Sequence, residues 1–197
     1  MKSKLLLFAA VAVFNAHAMD TDPYANAKQL IQEAALLPLK NYRRKITDKF
    51  PQGIEPALHA FSVATTLAST AQGLEAGKKI KFLTKKMKVC LDCFFDENEK
   101  YSLLHAAAVD AMLKGDFRNL CILLGAGAHP LKPMDKDGAH PYKLALIKTA
   151  AEEYKKSAPY AEPVLRLLNQ YVTLEELAID VENAICKALR ARNEEQK

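Results

Sequence analysis

Ser102-Leu103-Leu104-His105-Ala106-Ala107-Ala108, followed by Gly115-Asp116 and then by Leu123-Leu124-Gly125-Ala126-Gly127-Ala128, is the stretch that decides the fold. The small side chains of Ala106, Ala107 and Ala108 allow a first helix to lie close to its neighbours. Leu120, Leu123 and Leu124 make the apolar stripe of a second helix, and Gly127 suits the left-handed residue that ends it. Asp137-Gly138 then supplies the chemistry of a tight reversal. One such pair of helices cannot bury its own apolar face. Neighbouring pairs must stack on it, and about three or more are expected.

Working outward, the same rhythm recurs on both sides. Pro56-Ala57-Leu58-His59, Ser102-Leu103-Leu104-His105 and His140-Pro141-Tyr142-Lys143 each open a helical pattern. Each opener is followed by a second helix with an apolar i, i+3 pair: Ile80 with Leu83, Leu120 with Leu123, and Val164 with Leu167. The openers and pairs lie 21, 15 and 21 residues apart, against about 11 in the usual 33-residue helical-hairpin repeat. The excess predicts first helices or inter-helix turns that are lengthened by one to three turns.

Leu104-His105-x-Ala107-Ala108 and Leu123-Leu124-x-x-Gly127-Ala128 resemble the ankyrin repeat, with Leu103 where that family has its turn proline. Asp135-Lys136-Asp137-Gly138-Ala139-His140-Pro141 is similar to the ankyrin hairpin leading into the next first helix. The specific part covers residues 102–145 and the weaker match residues 53–171. The resemblance implies an all-α fold, a short ankyrin-like solenoid of helical hairpins with helical caps at both ends. It also implies a structural motif made of Leu104, His105, Ala107, Ala108, Leu123, Leu124, Gly127, Ala128, Gly138 and Pro141. In such repeats the opener's histidine, here His59 and His105, bonds the turn backbone and orders the stack.

The flanks complete the expected organisation. Residues 1–18 read as a signal peptide: Lys2 and Lys4 form a basic start, Leu5 to Phe14 an apolar run, and Ala16-His17-Ala18 a small-x-small cleavage site. That run is too short to span a bilayer, which takes about 20 apolar residues. Residues 19–52 are expected to hold an N-terminal helix over 26–37, with Leu30, Ile31, Ala34 and Leu37 on one face, followed after Pro38 by a basic connector. Residues 53–171 form the repeat domain, and 172–197 a capping helix and tail opened by a Thr173/Glu176 capping box. Composition agrees with helix, since Trp is absent and only seven glycines occur. Net charge is +5, and +3 once Lys2 and Lys4 are removed, too small to argue for nucleic acid as the partner.

Three constellations carry candidate chemistry. Cys90, Cys93, Cys121 and Cys186 are possible disulfide partners in an exported chain, with three connectivities open. The Cys90-x-x-Cys93 spacing lacks the βαβ context of a redox site and the second ligand pair of a zinc site, so no metal and no cofactor are expected. Lys78 to Lys88 holds six lysines, with Lys78, Lys81, Lys85 and Lys88 on one face and Ile80, Leu83 and Met87 on another. It reads as the solvated side of a second helix or as a basic surface for anionic lipid or nucleic acid. His59 and His105 stand without a nucleophile, a partner base, or an H-E-x-x-H or G-x-S-x-G motif, and no catalytic residue is assigned.

The function expected on this reading is an exported scaffold, periplasmic or secreted, that binds another protein, a host protein among the options, and is not an enzyme. Loops carry the contacts of such scaffolds while stacked helices supply rigidity. The candidate binding residues are therefore Phe95, Tyr101, His129, Lys132, Asp135 and Lys136. The alternative is a basic surface-binding protein that uses the helix from Lys78 to Lys88.

Overall fold

The computed structural model describes residues 23–92, 102–131, 143–153 and 157–174. Within them every regular element is a helix, apart from an isolated bridge residue at Ser102. In chain order these are α1 (Ala25–Ala35), α2 (Leu39–Lys49), a 3₁₀ turn (Pro56–Leu58) running into α3 (His59–Ser69), α4 (Gly73–Lys86), α5 (Leu103–Lys114), α6 (Arg118–Gly125) and α7 (Lys143–Glu153). Residues 161–174 are helical as well. The signal-like segment 1–18, the loop tips around 94–101 and 132–142, and the chain after 174 lie outside the described residues.

The helices pair through turns of three residues, at 36–38, 70–72 and 115–117. In the units opened by His59 and His105 the surplus length anticipated between opener and apolar pair therefore sits in the helices, since α3 and α5 run for 11 and 12 residues. Across pairs, first helix meets first helix, α1 on α3 and α5 on α7, while second meets second, α2 on α4 and α4 on α6. The Tyr171 hydroxyl donates to the Leu124 carbonyl over 3.0 Å, which ties residues 161–174 to α6 in the same way.

Burial follows the expected stripes. Ile80, Leu83, Leu120, Leu123 and Val164 are fully buried, and Leu167 packs half-buried beside them. Each fully buried aliphatic side chain contributes about 1.5–3 kcal/mol of transfer free energy. α3 is buried nearly all round from His59 to Leu67, which marks it as the innermost helix. Ala107, Ala108 and Ala111 are buried on α5, where small side chains permit close approach to α6 and α7.

Helix ends are set by local chemistry. The Ser102 hydroxyl caps α5 by accepting from the His105 N–H over 3.2 Å. Gly115 then ends that helix at φ 73°. At the end of α6, Gly127 at φ 101° closes a Schellman motif: the Ala128 N–H donates to the Leu123 carbonyl and the Gly127 N–H to that of Leu124, both over 3.0 Å.

Two expectations differ from the structure. Residues 39–49, expected as part of a connector, form α2, because Tyr42 and Ile46 at i, i+4 are both buried and give the segment an apolar edge. Thr173 does not open a new helix: helical residues run through to 174, and its hydroxyl donates back to the Asn169 carbonyl over 3.0 Å. Glu176 lies outside the described residues.

Candidate functional site

The lysines of α4 divide into two chemical roles. Ile80 and Leu83 point into the core, so the helix turns its remaining positions toward α2, α3, α6 or solvent. Lys79 is turned inward and is only 2% exposed. Its ammonium donates to the Ala35 carbonyl over 3.0 Å and to Thr70 Oγ1 over 3.3 Å, and meets Glu75 Oε1 at 3.3 Å. All three N–H donors are thereby used. The same nitrogen stands 5.3 Å from the centre of the Tyr42 ring. Lys79 thus joins the C-terminus of α1, where exposed carbonyls favour a cation, to α2, α3 and α4.

The other lysines face outward along a groove of about 800 Å³ between α2 and α4. Arg43 comes from α2, Lys78, Lys81, Lys85 and Lys86 from α4, and Lys88 from the turn that follows. Among the described residues no carboxylate lines the groove. Three cations outside it have acidic partners: Lys45 with Glu33 at 2.7 Å, Lys114 with Asp110, and Arg166 with Glu162 at 2.8 Å. Among the described residues no ion pair reaches Lys78, Lys81, Lys85, Lys86 or Lys88. Phe50, Phe82 and Met87 add apolar surface. The Phe82 ring packs edge-on to Tyr42, with centroids 6.0 Å apart, while the Arg43 guanidinium lies 5.8 Å over it.

The opener histidine His59 has both ring nitrogens engaged. The Cys90 backbone N–H donates to Nδ1 over 3.2 Å, so the proton of the neutral ring sits on Nε2, which donates to the Ile54 carbonyl over 2.8 Å. One side chain therefore holds the loop before α3 and the chain after α4 together. His105 is buried at the matching position of the next unit, and that burial pushes its imidazole below the ordinary value by disfavouring the cation.

Of the binding residues expected from sequence, only His129 lies among the described residues. It is half-buried, and its Nδ1 accepts the Leu131 N–H over 3.1 Å within its own turn. Phe95, Tyr101, Lys132, Asp135 and Lys136 lie outside them, as do Gly138 and Pro141 of the repeat motif. Leu104, His105, Ala107, Ala108, Leu123, Leu124 and Ala128 are buried. Cys90 and Cys121 are exposed, and the Cys90 sulfur accepts the Asp92 N–H over 3.4 Å, while Cys93 and Cys186 fall outside the described residues.

The sequence pointed to the lysines of α4 and, separately, to the basic connector after Pro38, in which Arg43 lies. It did not bring them together. The missing signal was the Tyr42/Ile46 spacing, which makes α2 a helix and sets Arg43 across from α4. No helix among the described residues is long and apolar enough to cross a membrane. No family model matches the chain, and neither does any curated protein or solved structure.

Proposed function

We propose that the chain is an exported, periplasmic or secreted, ankyrin-like scaffold of stacked helical hairpins that binds another protein and performs no catalysis. The observation that carries this reading is the contact pattern, first helix on first helix for α1 with α3 and α5 with α7, second on second for α2 with α4 and α4 with α6, with three-residue turns inside the first three pairs. His59 supports it further by bonding the backbone on both sides of its own helical pair, the role the resemblance gives to that histidine. A stack of this kind holds the loops between pairs on a rigid support, and those loops supply the contacts.

Affinity capture by residues 19–197 from cognate lysate tests the reading, run beside a variant with alanine at Phe95, Tyr101, His129, Lys132, Asp135 and Lys136. The reading expects a captured protein that the variant loses while keeping its helical circular dichroism. Retention of every captured protein by the variant contradicts the loop assignment.

A further inference from the structure

We propose that the groove between α2 and α4 binds an acidic helical segment of a partner protein, pairing its row of lysines with carboxylates and seating one apolar side chain against Phe50 and Phe82. The site stands on the faces of the second helices, apart from the loops named above. It can therefore fail while the loop assignment holds, and the reverse.

Charge complementarity names the partner's chemistry. Lys78, Lys81 and Lys85 recur at i, i+3 and i+7 of α4, on one face and over about 10 Å of helix axis. Carboxylates at the same spacing on a facing helix meet them in register. No carboxylate among the described residues pairs with these lysines, so a bound carboxylate displaces none of those. Arg43 closes the row from the opposite wall. Partly buried apolar surface between the cations rewards one aromatic or aliphatic anchor, as in helix-in-groove recognition.

The same geometry disfavours the two other anionic surfaces. A helix that lies in a lipid interface must offer its apolar stripe to the acyl region. Here Ile80, Leu83 and Met87 are already buried in the core. Single-stranded nucleic acid is held by open aromatic faces on which bases stack. Phe50 and Phe82 are the aromatic residues lining the groove among the described residues, too few for a run of bases to stack on and enough to seat one apolar anchor.

Fluorescence anisotropy of residues 19–197 with defined probes decides the matter. The first probe is a helical peptide of about 14 residues with Glu at successive i, i+3 and i+4 positions around one central Phe, about 21 Å long. Its controls carry Gln for every Glu, or Ser for the Phe. The proposal expects saturable binding of the Glu peptide that weakens about tenfold or more between about 50 mM and 500 mM salt. It expects no binding of the Gln peptide and at least about fivefold weaker binding of the Ser peptide, the loss of one apolar anchor. Lys81→Glu with Lys85→Glu should lower affinity about tenfold or more, with the thermal midpoint checked; Lys81→Gln with Lys85→Gln serves if the reversal unfolds the chain.

Absence of Glu-peptide binding at low salt overturns the proposal, as does binding that both lysine pairs leave unchanged. An oligo(dT) probe or phosphatidylserine vesicles that bind more tightly than the peptide also overturn it, and assign the groove to nucleic acid or to lipid.

Discussion

The backbone N–H of Cys90 donates to Nδ1 of His59 across 31 positions of sequence, over 3.2 Å. That bond, with the one from Nε2 to Ile54, fixes the chain entering α3 relative to the chain leaving α4. His59→Ala removes both and opens a cavity beside Leu58. It should destabilise the protein by about 2–3 kcal/mol, measured by urea unfolding at neutral pH. A loss under about 0.5 kcal/mol would show that the histidine orders nothing.

Lys79 belongs to a second tie point, and its stem and its charge separate experimentally. Lys79→Met keeps most of the volume but leaves the Ala35 carbonyl and Thr70 without their donor, at an expected cost of about 1–2 kcal/mol. Lys79→Ala adds a cavity under Tyr42 and should cost about 3 kcal/mol. Equal effects of the two would place the whole contribution in the polar contacts.

The Tyr42 hydroxyl lies 3.2 Å from Thr66 Oγ1, whose own proton goes to the Ser62 carbonyl, so the phenol is the donor. Burial holds its pKa above the ordinary value of 10.0. Tyr42→Phe should cost about 1 kcal/mol at neutral pH. The wild-type chain should also lose stability as pH rises past 10.0, where the unfolded phenol ionises and the folded one does not. Urea midpoints of both proteins across that range measure the two effects together.

His105 sets the acid side. Its folded pKa is depressed by burial, so the unfolded chain takes up the proton first as pH falls through 6.5. Its contribution is complete above that value and is lost progressively as pH drops toward the folded value. His105→Gln should flatten the fall of urea stability below pH 6.5 relative to wild type. Parallel curves for the two proteins would exclude His105 as the source.

Two glycines with positive φ separate backbone strain from collision. Gly127 at φ 101° has open space where a Cβ would stand, so Gly127→Ala should cost about 1 kcal/mol, the penalty of the left-handed region. At Gly115, φ 73°, the added carbon would sit 2.8 Å from the Tyr160 ring. Gly115→Ala should therefore cost about 2–3 kcal/mol, and Tyr160→Ala in the same chain should recover about 1 kcal/mol of it. Additive effects in that double-mutant cycle would show no collision.

How much of this was legible in sequence depends on where each residue's partners lie. Leu104, Ala107, Leu123 and Gly127 were readable because their roles are local: helical spacing, small volume, a positive φ. The Ile80/Leu83 pair was readable for the same reason. α2 was not, because only Tyr42 and Ile46 are buried among its basic neighbours, too few for a periodic signal. Lys79 was hidden among six lysines of one run, since what buries it is an acceptor 44 residues away at the end of α1. The groove needed both α2 and α4, and nothing short-range in either segment announces the other.

Stacking of successive helical pairs is the central structural claim, and proton NOEs on isotope-labelled residues 19–197 test it most directly. Three contacts span the three junctions: the Tyr42 and Phe82 rings at 6.0 Å, Gly73 beside the Arg118 side chain, and Gly115 against the Tyr160 ring. NOEs across all three junctions are the expected result. A well-dispersed helical spectrum in which any of these junctions shows none would contradict the stack.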